Sequence, residues 1–192
     1  MAILVLGLIA FLGLHSLRVV AEPWRVRQIA SWGEVRWKAL YSIASIASLA
    51  LVIWGFGLAR ATTPVVWTPP MALHYVTALL MLVSFVLGFA AYVPGTRIKA
   101  AVGHPMTLGI KTWAFGHLLS AGTLADILLF GSFGVWSVAV YAAARRRDRA
   151  AGTQRPGGAL ARDALVVVIG VAAWAVFGGR LHEWMIGVRP FG

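Results

Sequence analysis

Five imidazoles, at His15, His74, His104, His117 and His182, carry most of the chemistry this chain can offer. Histidine is the commonest metal ligand among side chains, and its charge changes near neutral pH. The sequence has no cysteine, which excludes disulfides, thiolate zinc, iron–sulfur clusters and a covalently attached c-type haem. Histidine, methionine and carboxylates remain as metal ligands. His15 follows Gly13-Leu14 and His117 precedes Leu118-Leu119, so both rings sit in apolar stretches. An imidazole there needs a partner, either a carbonyl or hydroxyl of the protein or a metal. His74 lies within a turn of Pro70, and His182 stands beside Glu183 and Trp184, so both also read as headgroup-level residues. His104, directly before Pro105, also reads as the polar start of a helix.

Asp126 is the one acid well inside an apolar run, and it has two readings. Thr123-x-x-Asp126 has capping-box spacing, in which a carboxylate satisfies free amides at a helix N-terminus. If the chain reverses near Ala121, His117 and Asp126 face each other at similar depth. A carboxylate accepting the N–H of a ligating histidine would then fix its tautomer. The two roles are compatible if each oxygen takes one. Lys111 either snorkels to the headgroups or holds a carboxylate such as a haem propionate. Trp113, Phe115, Trp136 and Trp174 are packing residues or the lining of a cavity for a flat apolar ligand. Gly109, Gly116, Gly131 and Gly134 permit close helix approach.

The elements that must position these groups are membrane spans. Of the 192 residues, 60% are hydrophobic, above the usual 45–50% of soluble domains. Apolar runs cover roughly residues 2–20, 39–58, 71–92, 123–144 and 164–187. A sixth, opened by His104-Pro105 and running to about Leu119, would be about 20–24 Å long, short for a bilayer core of about 30 Å. The expectation is a single all-α domain over 1–192, a bundle of about six spans whose fourth is short, tilted or re-entrant. Ser31 and Glu34 have capping-box spacing, so the second helix is expected to begin just after Ser31, and Arg145-Arg146-Arg147 is expected to stop the fifth. Arg60–Pro70 holds three prolines and reads as a loop.

The net charge of +11 concentrates beside the spans. Arg18–Lys38 carries five cations and Arg145–Arg162 six, whereas the loop after the second span has only Arg60. This alternation fits six crossings with both termini outside, and a bilayer rather than nucleic acid as the partner of the cations. The first apolar run has no basic segment ahead of it and reads as a retained helix, not a cleaved signal peptide. Trp24, Trp32 and Trp37 are expected in the inner aromatic belt, and Trp67 and Trp184 in the outer one.

The segment His104-Pro-Met-Thr-Leu-Gly-Ile-Lys-Thr-Trp-Ala-Phe-Gly-His-Leu-Leu-Ser-Ala-Gly, followed by Leu128-Leu-Phe-Gly-Ser-Phe, resembles the NnrU family. Leu6-Gly-Leu through His15-Ser16 and Arg18 looks like that family's first span, and the likeness extends over nearly the whole chain. The sequence departs from the family's frequent Asn-Gly-Asp after His-Leu-Leu, having Ala121-Gly122-Thr123 there. The resemblance implies an association with denitrification, through nitrite and nitric oxide reductase activity, and, with the compact size, a bacterial inner membrane in which both outside termini are periplasmic. Through the family's plant relative, 15-cis-zeta-carotene isomerase, it implies a non-covalent haem b with histidine ligands, at positions matching His15 and His117. It would make the chain either an isomerase-like protein acting on an apolar polyene or a support of nitric oxide metabolism, with a redox partner. His15 falls toward the inner face and His117 toward the outer, so pairing them requires a tilted or re-entrant short helix. An upright helix would pair His117 with His74 or His182. The alternative is a cofactor-free assembly or regulatory factor. Gly103-His-Pro-Met-Thr-Leu-Gly also looks like a segment of isoprenylcysteine methyltransferases, which use S-adenosylmethionine. Their arginine and tyrosine are replaced here by Gly103 and Thr107, and their C-terminal acidic pair is missing.

Overall fold

The apolar runs become helices whose ends the local residues explain. A computed structural model describes residues 1–190. Its helices are α1 (Ala2–Val20), α2 (Glu22–Trp32), α3 (Glu34–Arg60), α4 (Met71–Tyr92), α5 (Arg97–Val102), α6 (Pro105–Ser120), α7 (Leu124–Ala150) and α8 (Leu160–Val176). A π-helical turn over Phe177–Leu181 and α9 (His182–Ile186) follow α8. No β-strand forms among the described residues. Five helices are long and apolar enough to cross a membrane: α1, α3, α4, α7 and the continuous stretch Leu160–Ile186. The sixth apolar run is α6, and its 16 residues span about 24 Å. By Cα packing the chain divides into two compact units, Met1–Val66 with Thr123–Ser132, and Trp67–Gly122 with Phe133–Gly192. Helix α7 supplies its first turns to the former and its remainder to the latter.

In the first unit α1 packs on α3 along a seam of small residues. A Cβ on Gly7 would lie 2.7 Å from the Val52 amide nitrogen, and one on Gly55 would strike the backbone of Leu4. Lipid tails are as apolar as leucine, so helices associate in a bilayer by close van der Waals fit, and glycine permits that fit. Leu4, Leu8, Val52 and Ala59 are buried along this seam. The basic stretch after α1 forms a helix of its own; α3 begins just after Ser31, as expected, but Ser31 does not cap it. Ser31 lies inside α2, opened by Pro23 in its first turn, and the break comes at Gly33 with φ +81°. That left-handed backbone ends one helix and lets the next begin at Glu34. Trp37 is buried, with its ring 5.9 Å from Trp24 and 6.1 Å from Trp32, so these three form a packed cluster.

In the second unit α4 is the centre, with α6 and α8 packed on it. Thr77 Oγ1 donates to the Gly116 carbonyl at 2.7 Å, and Ser84 Oγ donates to the Gly109 carbonyl at 2.9 Å. The donors are seven residues apart on α4 and the acceptors seven apart on α6, in reverse order. The two helices therefore run antiparallel, cross-linked once every two turns. Trp174 Nε1 donates to the Ala78 carbonyl at 2.9 Å and ties α8 to the other side of α4. Helix α7 does not end at Arg145-Arg146-Arg147 as expected but continues to Ala150. Those arginines end the apolar stretch, not the helix, because arginine is a good helix former in water. The following loop is stitched to the start of α5: the Ala159 amide donates to the Gly95 carbonyl, and Arg97 Nε donates to the Gly158 carbonyl. The Ile98 amide donates to Asp163 Oδ1.

Candidate functional site

His15 sits on α1 beside a groove shared with α2 and α3. The cavity has a volume of about 360 Å³, inside the range of about 300–1,000 Å³ typical of small-molecule sites. Leu14, Leu17 and Ile29 give it an apolar side, and Trp37 and Tyr41 an aromatic wall. The His15 ring packs 4.1 Å from Phe11 and edge-on 5.6 Å from Tyr41. Nδ1 lies 2.7 Å from the Phe11 carbonyl one turn back. A carbonyl can only accept, so Nδ1 carries the hydrogen, and in the neutral ring Nε2 is the lone-pair nitrogen. Nε2 accepts from the Ser45 hydroxyl at 3.4 Å, a long contact.

His117 repeats this arrangement on α6. Its Nδ1 donates to the Trp113 carbonyl at 2.9 Å, and the Trp113 ring lies 5.3 Å away. Its Nε2 is therefore also the lone-pair nitrogen. The partner of its Nδ1 is its own helix. Asp126 completes the capping box: Oδ2 accepts from the Thr123 amide at 3.0 Å and hydroxyl at 2.6 Å, and the Asp126 amide donates to Thr123 Oγ1 at 3.2 Å. Lys111 is exposed and makes no ion pair among the described residues. His15 belongs to the first unit and His117 to the second.

The densest polar cluster is one that sequence reasoning passed over. His104 Nε2 donates to Asp148 Oδ2 at 2.8 Å, and Arg155 Nη2 donates to the same oxygen at 2.8 Å. Arg145 Nη1 is 3.9 Å away. Three segments meet there: the start of α6, the polar end of α7 and the loop beyond it. Tyr141 Oη donates to the Val102 carbonyl at 2.8 Å and presents its ring edge-on to His104. Gly103, at φ +77°, leaves the room: a Cβ there would meet Arg145 Nη1 at 2.7 Å. Asp148 lies past the arginine run, beyond the apolar stretch. Burial pushes its carboxyl up, but hydrogen bonds from Arg155 and His104 and the charges of both outweigh this and hold it below the ordinary carboxylate range. The sequence signal was the acid itself, standing alone in Arg-Arg-Arg-Asp-Arg.

Of the other histidines, His182 Nδ1 donates to the Val188 carbonyl at 2.8 Å near the end of the described chain. His74 is half-buried and makes no hydrogen bond among the described residues. No group of three or more histidine or acidic side chains that could hold a metal ion occurs among the described residues. Haem iron needs only one or two imidazoles, each neutral and offering a lone pair. His15 and His117 have that form, and the His15 groove adds an apolar aromatic wall, so the residues present fit such a group. The His104 site does not: its Nε2 carries a hydrogen, and two arginines beside it repel a cation.

No curated protein and no solved structure matches the chain. A family model described as NnrU protein matches residues 3–190, through both units and every helix discussed above. That coverage takes in the His15 groove, the α6 histidine and the His104 cluster alike, and by it the chain belongs to the NnrU family.

Proposed function

We propose that this membrane-helical protein binds haem b, its iron ligands drawn from His15 in the first unit and His117 in the second, in the cytoplasmic membrane of a bacterium. The observation that carries the reading is the shared geometry, Nδ1 of each ring 2.7 or 2.9 Å from the carbonyl one turn back, which in a neutral imidazole makes Nε2 the lone-pair nitrogen. The Phe11 and Trp113 carbonyls orient the rings as outer-shell partners and raise their basicity. The Ser45 hydroxyl at 3.4 Å is a weak donor that can rotate away from His15 Nε2. Both rings are half-buried and stand in apolar stretches of their helices. Haem b, when bound, supplies one-electron redox chemistry and an iron able to take up a small molecule or a double bond. The activity that follows is redox-linked isomerase-like chemistry on an apolar polyene, or support of nitric oxide and nitrite metabolism.

One observation favours a second reading, a cofactor-free assembly or regulatory factor: His15 Nε2 has an ordinary partner in Ser45. The visible spectrum of the detergent-purified protein separates the two. Haem binding gives a Soret band that sharpens on reduction and is abolished or shifted by His15→Ala and by His117→Ala. A colourless preparation that stays colourless after haem is added sinks the haem reading. A band lost only in His74→Ala or His182→Ala refutes the ligand assignment.

A further inference from the structure

We infer that the groove between α1, α2 and α3 is a binding site for a flat apolar macrocycle bearing carboxylates, with Arg18 and Lys38 holding the carboxylates. The inference deepens the haem reading above and rests on it. It starts from the groove's two unlike ends. One end is aromatic: Trp37, Tyr41 and His15 line it at successive ring separations of 6.3 and 5.6 Å, and Trp24, outside the lining, lies 5.9 Å from Trp37. This run leads from α2 to the candidate ligand imidazole. The ring planes meet at 33° and 64°, so they offer both faces and edges to a flat π-system, which an extended acyl chain does not require.

The other end is cationic. Arg18, Arg25 and Lys38 line it against a single acid, Glu34. Arg25 is held by Glu22 at 3.0 Å. Lys38 pairs with Glu34 at 2.8 Å, but both side chains are about 70% exposed, and a pair in that setting contributes little. Arg18 is exposed and has no hydrogen bond or ion pair among the described residues. Two cations are thus open to exchange. Arg18 follows His15 by three residues, and Lys38 precedes Tyr41 by three, so each cation stands on the same helix face as the aromatic group one turn deeper. Charge at the rim and an imidazole on the floor suit a ligand whose acidic edge stays at headgroup level while its body enters the hydrocarbon.

Metal-free protoporphyrin IX and its dimethyl ester test the site without iron. Each is titrated into the detergent-purified full chain by porphyrin fluorescence. The wild type should bind the diacid about tenfold more tightly than the ester. Arg18→Gln should remove most of that preference and Lys38→Gln part of it. Both glutamine changes are at exposed positions, and an unchanged size-exclusion profile shows that they fold. Equal binding of diacid and ester, no binding of either, or a preference that survives Arg18→Gln overturns the inference. The two readings fail separately. If the diacid preference stands but haem gives no spectrum dependent on His15, the haem reading is wrong and the groove is right. A His15-dependent haem spectrum indifferent to Arg18 and Lys38 gives the reverse.

Discussion

The groove at His15 and the cluster at His104 use one residue type in opposite protonation patterns. His15 gives its Nδ1 hydrogen to a carbonyl of its own helix and turns a lone pair toward a hydroxyl. His104 gives its Nε2 hydrogen to a carboxylate that two arginines also approach. A neutral acceptor one turn back orients an imidazole without using its ligand nitrogen. A shared carboxylate joins three segments of chain and occupies that nitrogen. The difference separates a histidine whose second ring nitrogen meets only a long hydroxyl contact from one whose ring nitrogen is committed to an ion pair, and depth in the hydrocarbon alone does not reveal it.

The sharpest way to break the comparison is to exchange the losses. His15→Ala should remove the haem spectrum almost completely and change the melting temperature little. His104→Ala should keep the spectrum and lower the melting temperature, as followed by thermal challenge and size-exclusion chromatography in detergent. A haem spectrum lost in His104→Ala would reverse the two assignments. Next in size is Asp148→Ala, which leaves His104 and Arg155 without their shared acceptor. It should destabilise the second unit more than His104→Ala does, because it strands a guanidinium as well as an imidazole. The same challenge reads this out, with the loop beyond Ala150 becoming open to protease.

The comparison also has a pH signature. The Asp148 carboxyl is held below its ordinary range in the folded protein. Its contribution is fully present above about pH 4 and is lost as pH falls through the lower folded value. The protease resistance of the loop should therefore persist from neutral pH to about pH 4 and fail below it, and Asp148→Asn should abolish that dependence. The smallest expected effect is a control away from both regions. Thr77→Val removes one α4–α6 hydrogen bond and should cost about 0.6 kcal/mol, the typical value for such a bond inside a bilayer.

Much of the fold was legible in the sequence because the solvent dictates it. Residues 2–20 and 71–92 were apolar runs and are α1 and α4 with the same bounds. His104-Pro105 opens α6, and the Thr123–Asp126 capping box closes as its spacing suggested. What escaped was set by backbone conformation or by distant residues. The separate α2 depends on Gly33 adopting φ +81°, which spacing alone does not announce. The continuation of α7 through its arginines needed the distinction between leaving hydrocarbon and leaving a helix. His104 and Asp148 are 44 residues apart, and only the packed helices bring them together. The cationic rim at Arg18 and Lys38 likewise appears only once α1 and α3 lie side by side. The tautomers of His15 and His117 were within reach, since a helical histidine always has the carbonyl four residues back nearby, as Phe11 and Trp113 are here.

The measurement that bears most directly on this account is the ring-nitrogen spectrum of the ¹⁵N-histidine-labelled protein in detergent without added haem, assigned by single His→Gln variants. Hydrogen on Nδ1 in His15 and His117, and on Nε2 in His104, is the expected pattern. Hydrogen on Nε2 of His15 or His117 would contradict it, because the nitrogen assigned to the ligand would then already be taken.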